Sequence, residues 1–357
     1  MDGIELKYLE ENGIKYYLQE DGSITAIITG DSLDNVRNTT ISYSQKTEQK
    51  SNTSLKVGKD IEGNTYISIL KFNLPNLSTS AFILSAKVEL TYLPSSIPLN
   101  NVIDVSEITT DWNETDVTWS DIKENFNSKL EDVFKCEYAS SNDGLQKIQF
   151  NITNLAKRWI QDNNNYGVML KLHEEDELTK EGVINFYSNS ATTSLNCRPV
   201  LIINFNNIKS FESKFPSKNM KFKFGNSSIN IYNGNFTSKF DLFESTTNTK
   251  SLYLSLYYDS LGFSEKLKFN IALGWRFNFC QKISELSDND ELLLYYDDNQ
   301  IVHYLRKIYN TETERFEYSD GSIYAYKDNN EYWLNDTNYE DTKLCLLYTS
   351  DAADDRI

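Results

Sequence analysis

Apolar and polar residues alternate along much of the chain with a period of two. In residues 85–92, Ala86 and Val88 fall on one side, whereas Lys87 and Glu89 fall on the other. This period is typical of a β-strand with one buried and one solvated face. The same pattern predicts further strands in the first half of the chain, at residues 66–72, 167–172, 183–188 and 200–205. The pattern therefore favours an all-β fold.

One stretch, residues 152–160, has helical spacing instead. Its apolar residues recur at intervals of three and four, and they are Ile152, Leu155, Ala156 and Trp159. This spacing places them on one face of an α-helix, and Asn151 or Thr153 is suited to cap its start. We expect this single short helix to plug one end of a β-sandwich.

The composition changes near Asn206, where the chain becomes rich in Asn, Ser and Lys. We interpret residues 207–228 as a linker. Strand patterns resume in residues 229–344, and the Asp320-Gly321 pair between two of them is typical of a hairpin turn. The second half of the chain is therefore expected to form an antiparallel β-meander.

At 357 residues the chain is longer than most single domains, so two domains are expected. The first is residues 34–206, which we interpret as a jelly-roll-like β-sandwich. Residues 1–33 hold two strand-like pieces, which alone would be marginally stable in water. We therefore interpret them as the tail of an upstream region.

The net negative charge of the chain limits the kinds of molecule that it is expected to bind. The formal net charge is −17, with 52 Asp and Glu against 35 Lys and Arg. So acidic a surface repels phosphate backbones, which argues against nucleic-acid binding. No apolar run is long enough to span a bilayer. The first residues lack the features of a signal peptide, and we expect the true start of the protein to lie upstream.

The four cysteines are widely scattered, at positions 136, 197, 280 and 345, without a CxxC or Cys/His cluster. A structural zinc site is therefore not expected. Cys136 and Cys197 could form a disulfide, but two buried free thiols are the favoured interpretation.

Residues 34–206 resemble the DNRLRE domain, which is grouped with carbohydrate-binding module family 96. The resemblance rests on eight short motifs in the expected order: RNTTI (37–41), LKVG (55–58), LKFNLP (70–75), SAKVEL (85–90), WNE and VTW (112–119), NIT to Trp159, GVML (167–170), and FYS to RPVL (186–201). Each motif is short, and the series of eight carries the match. The resemblance implies a jelly-roll-like sandwich that binds polysaccharide.

Residues 229–344 resemble the N-terminal region of RHS/YD-repeat proteins of bacterial surfaces. The resemblance rests on NIYNGN (230–235), LSLYYD (254–259) and LGWRFN (273–278), of which the last is the most specific. It implies the start of a β-shell, although the repeats themselves and any C-terminal toxin are absent from this sequence. Residues 345–357 look like a translated sequencing adapter, and we exclude them from the expected fold.

Tryptophans are the first candidates for ligand binding, because carbohydrate modules stack sugars on exposed rings. Trp119 and Trp159 lie in apolar patterns, so core packing is favoured for both, and Trp275 and Trp333 are expected to pack within the second domain. Trp112 lies in a polar loop and is the candidate ligand-binding residue.

Acidic residues around Trp112 suggest a metal site. Asp111, Asn113, Glu114 and Asp116 offer the oxygen ligands that calcium prefers. A solvated acidic loop is the competing interpretation and is favoured by the overall charge. Calcium is therefore the single cofactor suggested, and only as a hypothesis.

Catalytic signatures are sparse. The two histidines, His173 and His303, fall in different expected domains, and neither lies beside a nucleophile motif. We therefore expect a non-catalytic, extracellular or cell-wall-associated protein whose module binds polysaccharide or cell-wall glycan and joins an RHS shell. The alternatives are the N-terminal part of a polymorphic toxin delivery protein and, with less support, a polysaccharide-degrading enzyme.

Overall fold

The structure is a computed structural model. It describes residues 8–19, 22–30, 35–43, 54–77, 81–93, 101–136, 145–179, 181–191, 195–206, 214–215, 217–222, 225–246, 251–261, 272, 274–285, 292–297, 302–311, 313–320, 322–328, 331–336 and 343–347. The chain divides into two compact units, of which the first comprises residues 8–17 and 23–205. The second is built mainly from residues 206–357. The all-β prediction is confirmed, because antiparallel strands form both units.

The first unit contains thirteen strands and three short helices among the residues described. The strands are β1 (Leu9–Glu11), β2 (Ile14–Leu18), β3 (Ile24–Thr29), β4 (Val36–Ser42), β5 (Ser54–Lys59), β6 (Thr65–Phe72), β7 (Ile83–Thr91), β8 (Val102–Ile108), β9 (Phe126–Lys135), β10 (Lys147–Asn151), β11 (Val168–Leu172), β12 (Gly182–Tyr187) and β13 (Val200–Phe205). The helices are α1 (Trp119–Ile122), α2 (Thr153–Asp162) and α3 (Glu174–Thr179). The helix predicted at 152–160 is thus α2, and the sequence pattern missed α1 and α3.

These strands form two sheets. The first sheet has the order β1-β2-β3-β13-β7-β10, and the second has β12-β5-β6-β11-β8-β9, with β4 also paired to β6. Rings join the two sheets across the core. Phe134 of β9 stacks on Phe150 of β10 with centroids 5.3 Å apart, and Tyr92 beside β7 lies 4.9 Å from Phe186 of β12. The first unit is therefore a β-sandwich.

The N-terminal boundary differs from the expectation. Residues 1–33 were expected to be an upstream tail, but β1, β2 and β3 belong to the first sheet, where β3 pairs with β13. The reason is apolar burial: Ile24, Ala26 and Ile28 are fully buried. Without β3 the inner face of β13 would lose its neighbour.

The second unit contains two further antiparallel sheets. The third sheet runs β14 (Ser217–Phe222), β15 (Gly225–Asn230), β16 (Phe236–Thr246), β17 (Ser251–Asp259) and β18 (Trp275–Phe277). The fourth runs β19 (Lys282–Glu285), β20 (Leu292–Tyr296), β21 (Val302–Asn310), β22 (Arg315–Ser319), β23 (Ile323–Asp328), β24 (Glu331–Asp336) and β25 (Lys343–Leu347). In both sheets each strand pairs with the next along the chain, which is the predicted meander.

Two boundaries of the second half also change. The expected linker at 207–228 contains β14 and most of β15, whose residues pair from Ser217↔Asn230 to Phe222↔Gly225. Backbone pairing thus prevails over the loose apolar spacing that suggested a linker. Of the tail expected at 345–357, residues 345–347 belong to β25, and the rest lies outside the described residues.

The fourth sheet curls strongly. Glu285 lies on β19, yet its carboxylate contacts Lys327 of β23 at 2.8 Å and accepts a hydrogen bond from the Tyr332 hydroxyl of β24. Apolar side chains fill the inside of the curl, including Leu293, Leu305 and Leu334. The curl therefore gives this single sheet a core of its own.

Candidate functional site

The candidate site lies on the outer face of the second sheet, which is the face turned away from the first sheet. Residues directly opposite each other in an antiparallel pair share a face. Ile103 of β8 is opposite Phe134, which stacks against the first sheet, so Ile103 faces inward. Its neighbour Asp104 therefore faces outward, as do Ser106 and Ile108 farther along β8.

A segment of chain crosses this outer face and covers part of it. Residues 109–125, between β8 and β9, bury Trp112, Val117 and Ile122. These side chains pack on Ile67 and Ile69, which belong to β6. The second sheet is therefore covered on both faces at β6, and a second small core forms outside the sandwich.

Trp112 belongs to this outer core and not to an exposed loop. Its side chain is 6% exposed, and its Nε1 donates a hydrogen bond to the carbonyl of Tyr166 at 2.7 Å. A ring that is covered by Ile67 and Met169 and their neighbours has no face left for a sugar. The prediction of Trp112 as a stacking residue is therefore corrected: the polar residues around it hid its apolar surroundings.

Trp119, and not Trp112, is the tryptophan of this segment whose ring remains partly exposed. It is half-buried against the outer core, and its ring stacks on Tyr43 with centroids 4.4 Å apart and planes 24° apart. Tyr43, which follows β4, is 36% exposed. We call Tyr43 and Trp119 the ring pair.

Local interactions hold the ring pair in place. Trp119 is the first residue of α1, whose start is capped by Thr118 and Asp121 in a reciprocal capping box. On the other side, the Tyr43 hydroxyl hydrogen-bonds to Glu177 of α3; burial and this nearby carboxylate raise the pKa of Tyr43. The pair is thus fixed from two separate elements.

Polar groups lie beyond α3 on the same outer face. His173 Nδ1 is 2.8 Å from Asp104, a carboxylate that is 4% exposed. The hydrogen bond to Asp104 raises the pKa of His173. Lys171 is opposite Asp104 in the pairing of β11 with β8, and its Nζ lies 5.8 Å from the ring centroid of Phe126. Ser106 is fully buried, and its Oγ has no hydrogen-bond partner.

Each of the four residues of the calcium hypothesis has a partner within the protein. Asp111 forms an ion pair with Lys71 at 2.9 Å, and this hydrogen bond lowers the pKa of Asp111. Glu114 accepts a hydrogen bond from the backbone N–H of Asn38. The remaining two, Asn113 and Asp116, both accept hydrogen bonds from the Thr115 hydroxyl.

These contacts argue against the calcium site. Calcium needs several oxygen atoms that converge on one point. Within the described residues, no group of three or more His, Cys, Asp or Glu side chains is placed to hold a metal ion. The four residues therefore do not fit calcium, and their carboxylates serve turns and ion pairs.

The other tryptophans and two of the cysteines can also be compared with their predicted packing. Trp159 of α2 is 2% exposed, as its helical spacing predicted. In the second unit, Trp275 lies 4.9 Å from Tyr258, and Trp333 lies 6.5 Å from Tyr326. Cys136 and Cys197 are buried free thiols, which agrees with the favoured interpretation.

Sequence reasoning missed Tyr43. For His173 it allowed a carboxylate partner but favoured a surface histidine, and it did not single out Asp104. A strand-end tyrosine carries no signal for a partner so distant in sequence. One signal was present for the outer core: Ile67, Ile69 and Leu70 make β6 a nearly continuous apolar run, which is typical of a strand covered on both faces.

Among the residues that the structure describes, no helix is long and apolar enough to cross a bilayer.

No curated protein matches the chain. Among solved structures, two resemblances are weak. The binding domain of botulinum neurotoxin DC, solved in complex with rat synaptotagmin II, is 10% identical, with 94% of this chain and 93% of that chain covered and a TM-score of 0.15.

The second structure is a W1252A mutant of HCR D/C VPI 5995, which is 9% identical, with 97% of this chain and 95% of that chain covered and a TM-score of 0.13.

A protein family does match part of the chain. Residues 30–205 match carbohydrate-binding module family 96, and this span includes every residue of the candidate site. Carbohydrate-binding modules are non-catalytic, which agrees with the sparse catalytic signatures of the sequence. Residues 30–205 are therefore similar to a carbohydrate-binding module.

Proposed function

We propose that this chain is a non-catalytic polysaccharide-binding protein that acts outside the cell, and that its module binds glycan through the ring pair. The observation that carries the proposal is the exposed stack of Tyr43 on Trp119 within a carbohydrate-binding module. Aromatic rings that are apolar on one side and reachable from solvent on the other are suited to pack against the C–H face of a sugar.

Polar groups complete the requirements for sugar binding. Small-molecule sites combine apolar contact with a few placed hydrogen-bonding groups that fix the orientation of the ligand. Glu177 accepts a hydrogen bond from the Tyr43 hydroxyl of the ring pair. His173 directly precedes α3, the helix that carries Glu177. Because Asp104 holds His173 through Nδ1, the Nε2 atom of His173 remains free to face a sugar hydroxyl.

The test compares two tryptophans on the full-length chain. Trp119→Ala removes half of the ring pair, and we expect it to weaken binding to an insoluble or gel-embedded polysaccharide by about tenfold, because loss of one stacking ring costs ~1.4 kcal/mol. Tyr43→Ala is expected to act in the same direction. Affinity gel electrophoresis against a panel of cell-wall and extracellular polysaccharides gives the readout.

The matched control is Trp112→Phe, because Trp112 lies in the outer core beneath the same segment. This variant should lower the melting temperature, since it loses the hydrogen bond to Tyr166, but should leave affinity within about twofold. Equal affinity of Trp119→Ala and the unaltered protein would refute the ring pair as the binding surface. Retention by no polysaccharide would refute the proposed function itself.

For the second unit we propose a scaffolding role, as the start of an RHS-type shell that displays the module at the bacterial cell surface. Two observations support this role: the LGWRFN motif at 273–278 and the curled fourth sheet. Display can be tested by fractionating cells that express the complete gene and locating the chain with an antibody. Release only into the cytosolic fraction would contradict the proposal.

A further inference from the structure

We propose that the third sheet is an association surface, through which two copies of this chain pack face to face. This association involves the second unit and needs no glycan, so it goes beyond the proposed function. Its basis is the face of the sheet that is buried, the charge on each face and the apolar area that remains exposed.

The polar face of the third sheet is its buried face. Residues directly opposite each other in an antiparallel pair share a face, so Lys239, Tyr257 and Arg276 lie on the same side of β16, β17 and β18. Tyr257 is 6% exposed and Arg276 is 8% exposed. Ser255, two residues from Tyr257 and therefore on the same side, is fully buried. Hydroxyl and guanidinium groups of this sheet are thus packed against protein.

The opposite face is aromatic and remains accessible. Its positions follow from the pairing of Phe240 with Leu256 and Phe277, and of Tyr258 with Trp275. We call it the aromatic face, and its rings are Phe240, Phe243, Tyr258, Trp275, Phe277 and Phe279. Phe243 is 55% exposed and Phe279 is 65% exposed, and the other four rings are only partly buried.

The rings of the aromatic face form one layer across three strands. Trp275 lies 5.8 Å from Phe240 and 4.9 Å from Tyr258, measured between ring centroids. Phe279 stacks on Phe277 at 5.2 Å with planes 11° apart. A sheet normally buries its apolar face in a core and leaves its polar face in water, and the third sheet does the reverse. An apolar layer of this kind at the surface marks an interaction site.

Charge is confined to other surfaces. Along β16, β17 and β18 the aromatic face carries no carboxylate, ammonium or guanidinium group. Among the described strands of the third sheet, the one charged residue on this face is Lys218 of the edge strand β14, which is opposite Ile229 and so shares a face with Phe236. Two copies of a chain with a formal net charge of −17 repel each other, and an uncharged face is where they can approach most closely.

The hydroxyl groups of this face favour a dry contact over a polar ligand. Ser238 lies on the aromatic face opposite Ser227, and their hydroxyls hydrogen-bond to each other at 2.7 Å. These hydroxyls therefore need no oxygen from a sugar. A second copy offers the same apolar surface, and a self-complementary face of this kind closes as a dimer with two-fold symmetry.

The exposed area is sufficient for a weak dimer. Taking ~200 Å² for a fully exposed aromatic side chain, Phe243 and Phe279 together expose about 240 Å². With the partly buried rings and with Leu254 and Leu256, the face exposes roughly 500 Å² in each copy. Two copies would then bury about 1,000 Å², which is the lower end for specific interfaces. The expected product is a reversible dimer that forms at micromolar concentrations.

The experiment is sedimentation equilibrium of the full chain without glycan, at pH 7.5 and over about 1–200 µM protein. We expect the weight-average mass to rise from that of one chain towards that of two. Association should be stronger in about 500 mM salt than in about 20 mM salt, because salt screens the repulsion between the acidic copies and leaves the apolar contact intact. A chain that stays monomeric throughout, or a dimer that dissociates at high salt, would overturn the inference.

Substitution of the most exposed rings locates the interface. Phe243→Lys with Phe279→Lys should weaken association by about 100-fold, because it removes two rings from each copy and brings like charges together. The control is Tyr309→Lys with Phe316→Lys, which makes the same change of charge at rings 56% and 61% exposed on the fourth sheet. The control should associate as the unaltered chain does. An equal loss in the control would overturn the aromatic face as the interface.

Hydrogen exchange tests the interface without any substitution. In the unaltered chain, the amides of β16, β17 and β18 should exchange more slowly at about 200 µM than at about 1 µM protein, since the dimer covers them. Concentration-dependent protection confined to other strands would refute the assignment. A chain that is monomeric, but loses binding to a polysaccharide or to lipid vesicles when Phe243 and Phe279 are replaced, would assign the face to that partner and overturn the dimer. These measurements of association use no glycan, so their failure leaves the proposed function of the module untouched.

Discussion

The sharpest test of the second unit concerns His303, which lies between two carboxylates. Its Nδ1 is 3.0 Å from Asp320, and its Nε2 is 3.4 Å from Asp297. The side chain is 17% exposed, and its ring stacks on Tyr295 of the neighbouring strand at 5.6 Å. Burial opposes the charged form of His303, but the hydrogen bonds to the two carboxylates outweigh it and raise the pKa to about 9.

The raised pKa makes stability depend on pH in a defined direction. Below about pH 6.5 both the folded and the unfolded chain hold the proton on His303, and the stabilisation is fully present. Between about pH 6.5 and 9 the unfolded chain releases the proton while the folded chain keeps it, so the stabilisation declines. Above the folded pKa of about 9 it is lost.

The size of the effect follows from the same shift. A rise from about 6.5 to about 9 corresponds to roughly 3 kcal/mol, at 1.36 kcal/mol for each pKa unit. This is a large part of the stability of an ordinary domain. The unfolding free energy of the second unit should therefore fall by an amount of this order between pH 6 and pH 9.5.

The assay uses the fact that the chain has two histidines. Imidazole proton NMR gives the pKa of each, and His173→Gln assigns the remaining resonance to His303. Urea unfolding at pH 6 and pH 9.5 then compares the unaltered chain with His303→Gln, which should lose most of the pH dependence of the second unit. A His303 resonance that titrates near pH 6.5 would refute the reasoning.

Two further predictions concern the first unit. Gly167 has φ +94°, and a Cβ there would lie 2.1 Å from the carbonyl oxygen of Leu70. Gly167→Ala should therefore destabilise the module by about 2 kcal/mol or more, as measured by thermal unfolding. An unchanged melting temperature would contradict this. Burial raises the pKa of Cys136 to about 11, so its thiol should resist alkylation at pH 8 until the module unfolds, as measured by mass spectrometry with and without urea. Rapid labelling of Cys136 in the native protein would contradict the burial.

Strand positions were the part of the fold that the sequence could predict, because burial on one face leaves a period of two. The pattern at 85–92 became β7, with Ala86 and Val88 fully buried and Lys87 exposed. The same rule found β11, β12 and β13. It failed where backbone pairing, and not apolar burial, defines the strand, as in β14 and β15.

The site was harder to predict, because its residues meet only through the fold. The sequence placed Trp112 in a polar loop and Trp119 in an apolar pattern, yet the structure buries Trp112 and leaves Trp119 half-exposed. The difference arises from the crossing of residues 109–125 over β6, which buries Trp112 against Ile67 and turns Trp119 towards Tyr43. No local pattern encodes that crossing, since it depends on contacts between distant strands.

The position of the ring pair at the surface also requires a physical reason, because Trp119 lies beside the buried residues of the outer core. A helix of four residues such as α1 has almost no stability of its own. It persists because Thr118 and Asp121 cap it and because Ile122 is buried in the outer core. These contacts fix Trp119 at the start of α1, where its ring meets Tyr43 and stays half-exposed. A surface aromatic that is held by a cap, a core residue and a second ring loses little conformational entropy when a ligand arrives, which is the preorganisation that favours binding.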